Sequence, residues 1–153
     1  MREESKCERR LEFRKRGGLA VEGEKLQILK TYFGYDSFRP GQEEIIDQIL
    51  GGRDALAIMP TGAGKSLCYQ VPALMLSGIT IVISPLISLM MDQVKALNEA
   101  GIHAAYINSS LTENQVAKAL EFAKAGRYKI VYVAPERLEQ GFSTLPVMPK
   151  SLW

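Results

Sequence analysis

Residues 59–66 read Met-Pro-Thr-Gly-Ala-Gly-Lys-Ser, directly after the apolar run Ala55-Leu56-Ala57-Ile58 and ahead of a helix-compatible stretch. A strand, a glycine-rich turn and a helix in that order make a phosphate-binding loop, and such a loop confines the chain to a layered α/β fold. Gly62 and Gly64 allow backbone conformations that a Cβ disfavours, so Thr61 to Ser66 can turn successive N–H groups, Ala63 among them, onto phosphate oxygens. Lys65 is placed to reach the β- and γ-phosphates of a nucleotide, and the Ser66 hydroxyl to ligate Mg²⁺. The helix starting near Lys65 points its positive dipole end at the same anion. The general pattern asks for glycine five residues before Gly64, where this chain has Met59. That departure argues against a small-GTPase or adenylate-kinase loop.

The order of elements supports the same fold class. Glu24 to Phe33 has helical spacing and stops at Gly34, and Pro40 sits where a first helical turn tolerates it. Gln42 to Leu50 then reads as a short helix stopped by Gly51-Gly52. Strand and helix patterns alternate from there: strand 54–59 and helix 65–76, strand 79–84 and helix 86–99, strand 104–108 and helix 113–125, strand 129–134 and a short helix from Glu136. Thr112 is a plausible N-cap and Gly126 a stop. Four strands separated by helices imply a parallel sheet with right-handed crossovers. Residues 140–153 hold two prolines and no period, and read as an irregular tail.

Composition mainly excludes. The 153 residues suit about one domain, and a net charge of +2 is too small to argue for nucleic acid. Seven Lys/Arg against four Asp/Glu fall within residues 1–16, so residues 1–23 read as a charged, solvated and disordered leader. Cys7 and Cys68 make no disulfide framework, and His103 has no partner cluster for metal binding. The N-terminus lacks the apolar segment of a signal peptide, which points to a reducing cytoplasm. The 26 uncharged residues between Lys65 and Asp92 are long enough to span a membrane. Pro72, Gly78 and Pro85 interrupt them, and Ile79-Thr80-Ile81-Val82-Ile83 is β-branched, so the stretch reads as helix, buried strand and helix.

Several blocks together resemble the RecQ family of DNA helicases. Phe33-Gly34-Tyr35-Asp36-Ser37-Phe38-Arg39-Pro40-Gly41-Gln42 is similar to that family's adenine-reading motif, and residues 59–70 to its motif I, in which Pro-Thr-Gly precedes Gly-Lys-Ser. Ser84-Pro85-Leu86-Ile87-Ser88-Leu89-Met90 with Asp92-Gln93 resembles motif Ia; Asn108-Ser109 and Ala134-Pro135-Glu136-Arg137-Leu138 match later landmarks. The resemblance covers residues 24–139 and implies part of a RecA-like P-loop motor domain. It implies ATP and Mg²⁺ as cofactors and single-stranded or tailed duplex DNA as partner, in the cytoplasm or nucleoid, with no membrane. Tyr35 and Arg39 would flank the adenine and Gln42 would read it, while Phe38 is read as a core aromatic. Ser84, Ser88, Asn108 and Arg137 are candidate DNA contacts.

ATP hydrolysis also needs an acidic residue ending a second strand, to hold Mg²⁺. None of the four aspartates, Asp36, Asp47, Asp54 and Asp92, ends an apolar strand, and Glu136 reads as part of a helix start. The sequence thus looks truncated before its Asp-Glu motif, with no catalytic residue named, and the fragment is expected to be inactive alone and marginally folded. The competing reading is a non-catalytic nucleotide- or single-stranded-DNA-binding module. A small-molecule-kinase reading would need a lid segment, a substrate-binding acid and a second Mg²⁺ ligand, and the sequence shows none of the three.

Overall fold

Helices built on spaced apolar residues occupy the first half of the chain and a small parallel sheet the second. The computed structural model describes residues 18–138, with side chains from Val21 onward. Most of the charged leader and the tail from residue 140 therefore lie outside the described residues. The chain divides between Ser77 and Gly78 into two compact units, each with its own apolar cluster.

In the first unit, helix α1 (Gly18–Ile28) runs into a π-helical turn, Leu29–Phe33. It begins six residues before the expected Glu24. Gly34 ends the turn at φ 75°, returning its N–H to the carbonyls of Leu29 and Lys30. Helix α2 (Gln42–Leu50) matches its expected span, but its N-cap is Gly41 at φ 84°. Pro40 therefore stands outside the helix, because the chain needs a left-handed residue to enter it. Helix α3 (Leu67–Met75) starts two residues after Lys65. Val21, Leu29, Ile46, Leu50, Leu67 and Val71 form the cluster, and Phe33 and Phe38 pack on it. Lys25, buried at the edge of α1, bonds Glu43 Oε1 at 3.0 Å and Asp47 Oδ1 at 2.6 Å, tying α1 to α2 by charge as well as by packing.

The expected strand 54–59 is corrected by the structure. It pairs with no strand among the described residues, and Leu56 and Ile58 are each 89% exposed. The regular elements of its own unit are helical, so its backbone finds no ladder partner, and an apolar run without a ladder is not a strand.

The second unit is a three-stranded parallel sheet with flanking helices: β1 (Thr80–Ile83), α4 (Ile87–Glu99), β2 (Ala104–Ile107), α5 (Glu113–Lys124) and β3 (Ile130–Val133), in the order β1-β3-β2. The last of the three strands in sequence is central. Its four residues are all buried, and Thr80 and Ala104 both pair with Ile130, Ile83 and Ile107 both with Val133. A continuous apolar run, Ile-Val-Tyr-Val, is what a strand covered on both faces requires. Ile107, Val116, Val131 and Val133 form the cluster on the side of α5, and Met90, Val94 and Leu97 are the buried stripe of α4. Asn98 adds a polar clamp, pairing its amide with both the N–H and the carbonyl of Ala104 at 3.1 Å. Thr112 caps α5 in a full capping box with Gln115, as its sequence position indicated. Among the described residues, no helix is long and apolar enough to cross a membrane.

Candidate phosphate-binding loop and nucleic-acid edge

Residues 60–66 turn back on themselves, with Ala63 N donating to Pro60 O at 3.2 Å, and lead into α3. Gly62 and Gly64 lie at φ 80° and 77°, the left-handed region that favours glycine. Gly64 is constrained twice, since a Cβ there would collide with the Gln42 amide nitrogen. The N–H groups of Gly62, Gly64, Lys65 and Ser66 have no acceptor among the described residues, and neither does the Lys65 ammonium. The Ser66 carbonyl accepts from Tyr69 N and Gln70 N, and its hydroxyl makes no bond among the described residues. Unengaged amides, an ammonium and a helix start on one short loop suit an anion. The cradle fits the polyphosphate of a nucleotide.

The segment before α2 braces this loop. Arg39 Nη1 donates to Gly62 O at 2.5 Å, while Gln42 Nε2 donates to Gly64 O at 3.0 Å and Ala63 O at 3.4 Å. Gln42 Oε1 in turn accepts from Arg39 N at 2.8 Å. Three residues expected to surround a base are thus distributed differently. Tyr35 is half exposed, Arg39 holds the loop, and Gln42 is 1% exposed with both ends of its amide occupied. The expectation that Gln42 offers its amide to a base edge is not met in this conformation. The cause is the glycine at 64, whose missing Cβ lets the amide close onto the loop. Cys68, on the first turn of α3, is a buried packing residue; burial pushes its thiol up, away from thiolate chemistry. Among the described residues, no cluster of His, Cys, Asp or Glu could hold a metal ion.

In the second unit, the register brings Ser84, Asn108 and Ala134 to the same carboxyl edge of the sheet, where ligands of open α/β sheets gather. Ser84 is half-buried and its hydroxyl accepts from Leu86 N at 3.3 Å; Ser88 is exposed on the first turn of α4. Asn108 and Arg137 depart from expectation. Both are buried, and their polar atoms turn toward the protein rather than toward solvent. The Arg137 side chain keeps about a tenth of its surface open, 11%. Ser109 and Ser110 are the exposed residues of this turn, and sequence reasoning did not single them out as candidates. The available signal was the Asn-x-Ser turn itself, which engages residues 108 and 110 and leaves 109 outside.

Residues 39–148 match the family model described as DEAD/DEAH box helicase. The chain belongs to the DEAD/DEAH box helicase family. Its relatives within that family are of RecQ type. It is 58% identical over 112 residues to the ATP-dependent DNA helicase RecQ of Bacillus subtilis (strain 168), covering 72% of this chain and 19% of the relative. Identity to RecQ of Haemophilus influenzae is 54% over 113 residues, 74% of this chain and 18% of that protein. The ATP-dependent DNA helicase Q-like 5 of Arabidopsis thaliana is 48% identical over 112 residues, 73% of this chain and 12% of the relative. The chain spans about a fifth or less of the length of these relatives. The family match begins at Arg39, the residue that holds the phosphate loop.

Proposed function

We propose that this chain is the ATP-binding portion of an ATP-dependent DNA helicase of RecQ type, acting in 3′-to-5′ unwinding during recombination and repair. The observation that carries this reading is the set of donors at Gly62, Gly64, Lys65 and Ser66, unengaged among the described residues, on a loop braced by Arg39 and Gln42. Lys65 would neutralise the β- and γ-phosphates, the loop amides would hold them, and Ser66 would give one oxygen to Mg²⁺. Bound Mg²⁺ would supply charge neutralisation between those phosphates; this chain's residues orient and grip them. Tyr35 lies on the segment before Arg39 with half its surface open, which suits stacking on a base. Exposed Ser88, half-buried Ser84 and the turn at Ser109 would meet the phosphates of a DNA strand.

Isothermal titration with Mg-ATP tests the reading. The chain should bind saturably, and Lys65→Ala should weaken binding at least about tenfold, the scale of a charge-assisted bond to phosphate. Its fold should be untouched, because the Lys65 side chain has no partner among the described residues. Equal affinity in both proteins would exclude this loop as the phosphate site.

A further inference from the structure

Arg137 closes a bracket around one turn. Its Nε donates to Asn108 O at 3.2 Å, Nη2 to Leu111 O at 3.1 Å, and Nη1 to Glu113 Oε1 at 3.0 Å. These acceptors lie before, within and after the turn from Ser109 to Thr112 that links β2 to α5. Asn108 holds the turn from inside: its Oδ1 accepts from Ser110 N at 2.9 Å and Ser110 Oγ at 2.6 Å. The Ser110 N–H can only donate, so the orientation of the Asn108 amide is fixed. That leaves Nδ2 as a buried side-chain donor with no partner among the described residues. A buried orphan donor is costly, and the turn retains it because the opposite end of the same amide shapes the loop. Ser109 is the outcome of the arrangement. It is exposed, and neither its N–H nor its hydroxyl makes a bond among the described residues.

We infer that Arg137 is a positioning residue and not a phosphate contact: with Asn108 it fixes the turn that presents Ser109 to a phosphate of the DNA strand. This rests on the DNA-strand reading above. The guanidinium fork is needed because three acceptors in different directions must be served from one rigid plane. A lysine keeps the charge but offers a single point of donation. The neutral donors at Ser109 displace no counterion, so losing their alignment weakens binding without changing its salt dependence.

The test measures fluorescence anisotropy of a labelled oligothymidylate against the full chain, at salt from about 50 to about 200 mM. Arg137→Lys and Arg137→Gln should both lose about five- to tenfold in affinity, as expected for one displaced bond, with the salt slope of the parent chain. Undiminished affinity in Arg137→Lys, or a slope about 0.7 smaller in Arg137→Gln, would show a direct phosphate contact and overturn the inference. A second measurement does not require DNA. In ¹⁵N–¹H spectra, Arg137→Lys should move the amides of Ser109, Ser110 and Leu111 while those of α2 and α3 stay put. Unmoved turn amides would overturn positioning even if no strand binds, whereas absence of binding by the parent chain, with shifted turn amides, would count against the DNA-strand reading alone.

Discussion

Gln42 shows how a side chain expected at a base can have its amide engaged by backbone instead. The sequence sets it beside Arg39, and the structure brings both onto the phosphate loop, but the amide is spent on backbone. Its donor end faces two carbonyls and its acceptor end one N–H, so the two ends are not interchangeable. Gln42→Glu keeps the acceptor toward Arg39 N and sets an anionic oxygen against the carbonyls of Ala63 and Gly64. The loop should shift, and Mg-ATP affinity should fall by more than in Gln42→Ala, which merely removes the brace. Titration of both variants checks this order; the reverse order would mean that the brace does not shape the loop. Gly64→Ala belongs to the same argument. Its Cβ would meet Gln42 at a left-handed φ, and a loss of about 1–3 kcal/mol in stability is expected by thermal melting.

Among the elements, those bounded by strong local signals were legible in the sequence and those needing a distant partner were not. Helix α2 has its expected span, and α5 shows its expected N-cap, because glycine stops and the Thr112 box act within a few residues. Segment 54–59 carries as good an apolar run as β3, yet only β3 finds neighbours on both sides. The junction of α1 with α2 was also illegible, since the salt bridges from Lys25 join residues 18 and 22 positions apart. Burial alone lowers the Lys25 pKa, but the hydrogen bonds and charges of Asp47 and Glu43 outweigh it and the net shift is upward. A raised folded pKa means that its contribution is complete below the ordinary lysine value of 10.5 and is lost as pH climbs through the higher folded value. Lys25→Met should therefore cost about 1–2 kcal/mol near neutral pH, discounted because both carboxylates are partly exposed. In denaturant titrations the gap from the parent chain should narrow above pH 10.5; a gap constant across that range would assign the role of Lys25 to packing.

For the molecule as a whole, the strand-helix alternation made the α/β class legible, whereas the division between Ser77 and Gly78 was not. Periodicity reports which face of an element is apolar but not which other element will cover it. The described apolar clusters separate cleanly: one draws its members from residues 21–76, the other from residues 79–138. All the phosphate-loop braces fall in the first group and all the turn-bracketing bonds of Arg137 in the second. A ligand stabilises whatever it binds in the folded state, by about 2.7 kcal/mol at a hundredfold excess over its dissociation constant. If the polyphosphate is held by the loop amides, that gain should surface first in the local openings of the loop, of Arg39 to Gln42 and of α3. Hydrogen exchange followed by mass spectrometry, with and without Mg-ATP, should show slowed exchange in peptides covering residues 39–42 and 60–70. The peptide covering β3, buried on its own cluster, should keep its rate. Slowing that is equal in β3 and in the loop would mean that the nucleotide closes a single cooperative unit, because local opening in one cluster cannot otherwise protect the core strand of the other.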